Sequence, residues 1–239
     1  MPSNTSSTSA AALVTGANRG IGLATVRQLA DLGWTVWLGA RDLERGVRAA
    51  ADIAGDVRPV QLDVTQDDSV TAAVEQINAT GLDVLVNNAG IGGRGAAPED
   101  TVPADFPPVH AVNVVGTARM IHAMLPLLRR SPHPRIVNVS SSIGSFGMVT
   151  NPACHEFHLH ELVYSSSKAA LNMITSQYAR ALPGILVNAV QPGYTATALN
   201  HYQGTQTVEQ GAEPVIRAAT LPPNGPTGTF FGRDGDLPW

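Results

Sequence analysis

Short apolar runs alternate along this chain with longer stretches in which apolar residues recur every three or four positions. The first run, Ala10–Thr15, is apolar on both faces, which is typical of a strand buried in a parallel sheet. The next stretch has the apolar spacing of a helix and stops at Gly33, a residue type that commonly ends helices. By the same criteria the predicted strands are Ala10–Thr15, Trp34–Gly39, Arg58–Leu62, Leu82–Val86, Arg135–Ser140, Ile185–Val190 and Thr227–Phe231, and the predicted helices are Gly20–Leu32, Arg41–Ala54, Asp67–Ala79, Pro108–Arg130, Val163–Leu182 and Thr207–Ala219.

Strands that alternate with helices from end to end predict an α/β fold, with a doubly wound parallel sheet of about seven strands flanked by helices. We find no internal repeat and no linker, so a single domain is expected to span residues 10–239. Residues 1–9 are polar and rich in serine and threonine, and we expect them to form a disordered tail.

Two stretches interrupt this alternation. Gly92–Pro108 is rich in glycine, proline and alanine, and Gly144–Leu162 contains three histidines. Each stretch follows a predicted strand, and ligands of open α/β sheets bind beyond the carboxyl ends of the strands. Both stretches are therefore expected to lie on the rim of a ligand site.

Composition limits the kinds of partner. The net charge of −4 gives no overall field that would attract nucleic acid or an anionic membrane. No window of the sequence approaches the roughly 20 apolar residues that a membrane span needs. The one cysteine, Cys154, cannot form an intrachain disulfide, which favours a reducing compartment. We expect a cytoplasmic protein with no nucleic-acid or membrane partner.

The segment Thr15–Gly22, with the sequence TGANRGIG, lies between the first predicted strand and the first predicted helix. Gly16 permits a tight turn, Gly20 and Gly22 permit close approach of backbone and helix, and a helix N-terminus attracts a pyrophosphate. A glycine-rich turn alone is weak evidence, but the strand before it and the helix after it favour a dinucleotide site in a Rossmann fold.

Further motifs follow in order along the chain. They are Asn87–Gly90 (NNAG), Asn113, Ser141 within the sequence NVSS, Tyr164–Lys168 (YSSSK) and Pro192–Thr197 (PGYTAT). With the glycine spacing G-x-x-x-G-x-G, this set resembles the classical short-chain dehydrogenase/reductase family over essentially the whole chain after residue 10. The pattern is closest to the carbonyl-reductase branch of that family.

Tyr164 and Lys168 are four residues apart on a predicted helix, so both side chains lie on one face. Reduction of a ketone builds negative charge on its oxygen and needs a proton donor. A neighbouring ammonium favours the phenolate, so we expect Lys168 to lower the pKa of Tyr164. Lys168 is the only lysine in the chain, which argues against a chance surface position. The resemblance implies that Ser141, the second serine after Asn-Val, binds the substrate oxygen and that Asn113 links Lys168 to solvent through water; a buried asparagine that bonds backbone is the alternative for Asn113.

The end of the second predicted strand bears on the choice of nicotinamide. A free ribose hydroxyl is bound by an acidic residue there, whereas a 2′-phosphate is bound by arginine. The position that is acidic in NAD-using relatives resembles Ala40, and Arg41 follows it. Arg19 can reach the same phosphate, and a guanidinium fork suits phosphate geometry. We expect NADP(H), with Asp42 as a helix N-cap rather than a ribose ligand.

The resemblance also implies the remaining cofactor contacts. Asp63 would accept a hydrogen bond from the adenine amino group, although a second N-cap is an equal alternative for it. The segment around Asn87 would line the adenosine, and the segment after the sixth strand would surround the carboxamide and pyrophosphate. The predicted cofactor-binding residues are Gly16, Asn18, Arg19, Gly20, Ile21, Gly22, Arg41, Leu62, Asp63, Asn87, Ala89, Gly90, Tyr164, Lys168, Pro192, Gly193, Thr195 and Thr197.

Tyr164 follows Ser141 by 23 positions, more than in most classical relatives, and the extra residues are assigned to 151–162. An insertion here resembles the carbonyl-reductase branch. The family implies a homo-oligomer, a dimer or tetramer, but the insertion leaves a monomer open. Its histidines, Cys154 and Glu156 match no standard zinc spacing, so we predict a polar loop and no metal.

The predicted function is the reversible, NADPH-dependent reduction of a small-molecule ketone or aldehyde to an alcohol. Reduction of an imine or an activated alkene is an alternative with the same residues. A non-catalytic NADP(H) sensor is a third, but a sensor would not need Ser141, Tyr164 and Lys168 together. An apolar substrate pocket, or else plain core packing, is expected for Phe146, Met148, Tyr194, Leu199 and Tyr202.

Overall fold

The computed structural model describes residues 10–239, and the predicted tail 1–9 lies outside the described residues. The strands are β1 (Ala11–Val14), β2 (Thr35–Ala40), β3 (Asp56–Gln61), β4 (Val84–Asn87), β5 (Arg135–Val139), β6 (Leu186–Val190), β7 (Phe230–Gly232) and β8 (Gly235–Asp236). The helices are α1 (Gly20–Asp31), α2 (Leu43–Ala50), α3 (Asp67–Ile77), α4 (Phe106–His110), α5 (Thr117–Leu128), α6 (Phe146–Val149), α7 (Leu162–Ala181) and α8 (Val208–Ala219), with a π-helical segment, Ala111–Gly116, between α4 and α5.

These strands form one sheet in the order β3-β2-β1-β4-β5-β6-β7-β8. Every neighbouring pair is parallel except β7 and β8, which are antiparallel. The predicted fold, a single-domain Rossmann-type sheet flanked by helices, is confirmed. The chain crosses from β1 to β2 in one direction and to β4 in the other, so the sheet has its switch point between β1 and β4. Ligands of this architecture bind at the carboxyl ends of the strands at that point.

The strands are buried on both faces because alternate side chains pack against helices on opposite sides. Leu13 and Leu85 pack on one face with Met120 of α5. Val14 packs on the other face with Leu29 of α1. Complete burial of side chains of this size stabilises the fold by about 1.5–3 kcal/mol each. This explains why the β1 segment has no polar position.

Several elements differ from the prediction. Helix α2 ends at Ala50 instead of Ala54, because residues 51–54 turn into Gly55, whose φ of +102° suits glycine. The fourth predicted helix starts earlier, at Phe106, and includes the π-helical segment. Helix α6 and the two-residue strand β8 have no counterpart in the prediction, since both are too short to show a periodic pattern.

The helical run Pro103–Leu128 corrects another expectation. It is 26 residues long and contains an 18-residue window of mean hydropathy 1.3, which is enough by length and composition to cross a membrane. The statement that no window approaches this limit is therefore wrong. In the structure 44% of that window is buried, and Met120, Ile121 and Met124 are fully enclosed in the core. The apolar character of this run is used in packing against the sheet.

Candidate active site

The predicted catalytic side chains meet at the carboxyl end of β5. Tyr164 and Lys168 lie on consecutive turns at the start of α7, and the Lys168 ammonium is 5.6 Å from the centre of the Tyr164 ring. Ser141 follows β5, and its side chain is hydrogen-bonded to the Tyr164 hydroxyl. Lys168 is buried and donates a hydrogen bond of 2.8 Å to the carbonyl of Val139. The structure thus brings Ser141, Tyr164 and Lys168 together.

The ionisation of this group differs from the expectation. Burial and the nearby charge of Glu161 raise the pKa of Tyr164, the hydrogen bond from Ser141 lowers it, and together they leave it at about 12. Burial also lowers the pKa of Lys168 to about 8. The expected net lowering of the Tyr164 pKa is wrong for this structure, because burial and the charge of Glu161 outweigh any effect of the Lys168 ammonium. Tyr164 is therefore protonated at neutral pH and can serve as a proton donor.

Three consecutive serines follow β5, and their contacts distinguish them. Ser140 is buried and donates to Oδ1 of Asn172 at 2.5 Å. Ser142 is buried at the start of a short 3₁₀ turn. Ser141 is the serine that is bonded to Tyr164. The geometry favours Ser141, as the sequence pattern did, for the position beside the substrate oxygen.

Asn113 lies in the π-helical segment, a rare form that is often found at functional sites. Its Nδ2 donates to the Ile91 carbonyl and to Ser167 Oγ, both at 3.0 Å, and its Oδ1 accepts from the Ile91 amide at 2.9 Å. The side chain therefore bonds backbone, as the alternative described. It also borders the site, because a Cβ on Gly90 would lie 3.4 Å from Asn113 Oδ1 and 3.7 Å from Lys168 Nζ.

The glycine loop is held against the end of β4. Oγ1 of Thr15 accepts hydrogen bonds from the amides of Asn88 and Ala89, and Asn88 Nδ2 donates to the carbonyls of Thr15 and Gly16. A Cβ on Gly22 would lie 2.5 Å from Asn88 Nδ2, so no larger residue fits there. The result is a loop with exposed backbone at the N-terminus of α1, which can hold a pyrophosphate.

The segment after β6 faces this loop. Thr197 Cγ2 lies 3.6 Å from the position of a Cβ on Gly20. A residue that the sequence did not single out, Gln206, packs its amide against Gly193, and its Oε1 is buried with no hydrogen-bond partner among the described residues. Asn87 Oδ1 at the end of β4 is also buried without a hydrogen-bond partner among the described residues. Such buried acceptors commonly bind ligand or water, so these residues fit a polar ligand at this edge.

Arg19 and Arg41 are exposed near the adenosine end, and neither guanidinium forms an ion pair within the part of the chain that the structure describes. Asp42 caps α2 by accepting from the Arg45 amide, which confirms its predicted N-cap role. Asp63 does not cap α3, whose N-cap is Gln66, so that alternative is wrong.

The carboxylate of Asp63 accepts from Thr65 in a tight turn instead. Burial raises its pKa, but these hydrogen bonds and the charges of Arg41 and Arg119 outweigh burial and leave the pKa below its ordinary value. Leu62, also predicted to touch the cofactor, has its side chain in the core, which leaves only its backbone for that contact. The predicted cofactor residues therefore lie at the carboxyl edge of the sheet: Gly16, Asn18 and Arg19 in the loop after β1; Gly20, Ile21 and Gly22 in the first turn of α1; Arg41 after β2; Leu62 and Asp63 after β3; Asn87, Ala89 and Gly90 at the end of β4; Tyr164 and Lys168 in α7; and Pro192, Gly193, Thr195 and Thr197 after β6.

Tyr164 lines a small cleft that is open to solvent. Its walls come from residues 92–105 on one side and 161–164 on the other, so both irregular stretches reach one rim as predicted. Core packing is wrong for four of the five predicted pocket residues, which are exposed: Phe146, Tyr194, Leu199 and Tyr202. Residues 151–161 are mostly exposed, and no group of three or more metal-ligating side chains is assembled within residues 10–239.

The buried pair should make stability depend on pH. The folded protein binds the Lys168 proton less tightly than the unfolded chain does, because its pKa falls from 10.5 to about 8. Unfolding therefore takes up protons in this window, and we expect the free energy of unfolding to rise by about 2 kcal/mol from pH 7 to pH 10. Above pH 10 the raised pKa of Tyr164 gives the opposite slope. Urea denaturation at several pH values should show this rise in the wild type and not in Lys168→Met; parallel pH curves would contradict it.

Comparison with known proteins places this geometry in a family. The model of the short chain dehydrogenase family matches residues 10–207. A short-chain dehydrogenase of Penicillium roqueforti is 38% identical over 234 residues, which cover 92% of this chain and 91% of the relative. The (+)-neomenthol dehydrogenase of Arabidopsis thaliana is 34% identical over an aligned length of 282 residues, and the alignment covers 93% of this chain and 95% of the relative.

A solved structure gives the same result. NADPH-bound carbonyl reductase from chicken fatty liver superposes with a TM-score of 0.84 at 27% identity, over 97% of this chain and 99% of that one. The resemblance that the sequence motifs indicated is thereby confirmed. The chain belongs to the short-chain dehydrogenase family of oxidoreductases.

Proposed function

We propose that this protein reduces a ketone or aldehyde to an alcohol with NADPH, reversibly, with Tyr164 as the general acid and base. The observation that carries the proposal is the hydrogen-bonded pair of Ser141 and Tyr164, in which Tyr164 lines an open cleft and has the Lys168 ammonium beside its ring. The carbonyl reductase and the neomenthol dehydrogenase among its relatives support this reaction class.

Ser141, Tyr164 and Lys168 have different roles in the proposed reduction. NADPH, when bound, supplies the hydride. Ser141 donates a hydrogen bond that holds the substrate oxygen next to Tyr164. Tyr164 gives its phenolic proton to that oxygen as charge develops there, and its protonated state at neutral pH suits reduction. Lys168 retains most of its charge at pH 7, which favours the phenolate that remains after transfer.

The cofactor assignment rests on charge at the adenosine end. Arg19 and Arg41 offer two guanidinium groups free of ion pairs within residues 10–239, and the one carboxylate of the β2–α2 turn, Asp42, is occupied as an N-cap. A ribose 2′-phosphate supplies the anion that such groups bind in a planar, two-pronged manner. A free 2′-hydroxyl would lack the acidic partner that it usually has.

Arg41→Ala should therefore weaken NADPH selectively. Loss of a hydrogen bond to a charged group is worth about 1.5–3 kcal/mol, so we expect the KM for NADPH to rise about 10- to 100-fold while that for NADH changes little. The matched control is Arg45→Ala, because Arg45 is equally exposed but pairs with Asp42. Steady-state kinetics with each cofactor measure this effect. An equal rise in the KM for NADPH and for NADH would show that Arg41 does not bind the 2′-phosphate.

Product analysis tests the reaction class. The proposal requires one alcohol formed for each NADPH consumed with a ketone that contains no alkene. Consumption that occurs only with α,β-unsaturated compounds, with the carbonyl recovered intact, would instead indicate reduction of an activated alkene.

A further inference from the structure

One carboxylate that lines the cleft is not used by the proposed reaction. Glu161 immediately precedes α7 and lines the cleft with Leu162, Val163 and Tyr164. Its side chain makes no helix-capping hydrogen bond. Because Glu161 and the reacting Tyr164 line the same cleft, a substrate bound there would lie near the Glu161 carboxylate.

The charges of the cleft do not cancel. Three charged side chains line it among the described residues, Arg94, Asp105 and Glu161. Arg94 is held by Asp105 through two contacts, of 3.3 and 2.9 Å, and it also donates to the carbonyl of Asp100 at 2.8 Å. The positive charge of Arg94 is therefore paired with the negative charge of Asp105. Glu161 has no ion pair within residues 10–239, so the cleft keeps one uncompensated negative charge.

The cleft also offers apolar surface near this charge. Ala96, Leu162 and Val163 line it together with Glu161, and Leu162 is 46% exposed. A substrate in the cleft would therefore meet both hydrocarbon and the Glu161 carboxylate.

We propose that Glu161 determines specificity by selecting carbonyl substrates that have an apolar frame and a cationic nitrogen, such as an ammonium group, and by disfavouring carboxylates. The inference rests on the proposed reductase function. Attraction between unit charges a few ångströms apart is weak in water and grows as solvent is excluded. Because Glu161 is exposed, we expect a preference of about three- to tenfold in kcat/KM.

A set of three ketones with one shared frame tests this: one neutral, one with a quaternary ammonium and one with a carboxylate. The wild type should use them in the order cationic, neutral, anionic. Glu161→Gln should reduce the ratio of kcat/KM for the cationic ketone to kcat/KM for the neutral ketone about three- to tenfold. The control, Glu99→Gln, removes an exposed carboxylate of the same region that does not line the cleft, and it should keep the wild-type order. Added salt should weaken the preference.

The outcomes distinguish a failure of the role proposed for Glu161 from a failure of the reductase function. Turnover of all three ketones with no cationic preference, or a preference that Glu161→Gln retains, would overturn the role of Glu161 and leave the reductase function standing. Failure to reduce any of the three with NADPH, along with other simple ketones and aldehydes, would overturn the reductase function and this inference with it.

Discussion

Replacing Tyr164 by phenylalanine should lower kcat/KM for carbonyl reduction by about 10²- to 10⁴-fold, the usual contribution of a positioned general acid. The ring remains, so packing beside Lys168 is kept, but no proton can pass to the substrate oxygen. Ser141 also loses its hydrogen-bond partner, which should cost about 1 kcal/mol of folding stability. Binding of NADPH should change little, because most of the proposed cofactor contacts are with the segments after β1, β2 and β6 and not with the Tyr164 hydroxyl.

Steady-state kinetics together with a fluorescence titration of NADPH separate these effects. The matched control is Tyr178→Phe, which removes a hydroxyl from a partly buried tyrosine of the same helix, packed against the core and away from the cleft. That variant should keep near wild-type kcat/KM. A Tyr164→Phe variant that binds NADPH and keeps more than about a tenth of wild-type kcat/KM would show that another group donates the proton.

The second large effect is expected at Gly144. A Cβ there would lie 2.6–2.8 Å from backbone and Cβ atoms of Lys168 and Ala169. The obstacle is helix backbone, which cannot rotate away as a flexible side chain can. Gly144→Ala must therefore push the loop after β5 away from α7, and overpacking of this kind costs about 1–3 kcal/mol of folding stability.

The catalytic effect should be larger than that stability loss suggests. The Gly144 loop carries Ser141, and Asn172 fixes it to α7 by accepting from Ser140 Oγ and donating to the Gly144 carbonyl at 3.1 Å. A displacement of about 1 Å between Ser141 and Tyr164 can reduce the rate about 10²-fold. Urea denaturation and kcat/KM measure the two effects. Gly232→Ala is the control, since its Cβ would meet nothing closer than 3.6 Å. Equal losses of stability and of kcat/KM in the two variants would contradict the expected clash at Gly144.

The sequence pattern predicted the sheet well because most of its strands are buried on both faces. A run such as that of β1 has no polar position, so its length and type can be predicted from hydrophobicity alone. The π-helical segment around Asn113 could not be predicted, because it depends on a shift of backbone hydrogen bonds that leaves no periodic signal. Strand β8 has two residues, Gly235 and Asp236, and is defined by pairing with β7.

The candidate site was predictable where spacing or loop context carries the chemistry. Tyr164 and Lys168 are four residues apart, and the glycine loop joins a strand to a helix, so the structure has the expected local arrangement at both places. The ionisation of Tyr164 was not, since burial and Glu161 outweigh any effect of Lys168. The role of Asn172, which bonds the loop after β5 to α7, was not predicted either. Asn172 follows Lys168 by four positions on the same helix face, but its role depends on the loop that packs against it.

The most direct measurement is the initial rate of NADPH and of NADH oxidation by the purified wild-type protein with a panel of simple ketones and aldehydes. The account predicts that at least one carbonyl is reduced and that kcat/KM is at least about tenfold higher with NADPH, as two guanidinium contacts to a 2′-phosphate require. Preference for NADH would contradict the assignment of Arg19 and Arg41. No oxidation of either cofactor with any carbonyl would contradict the reductase function itself.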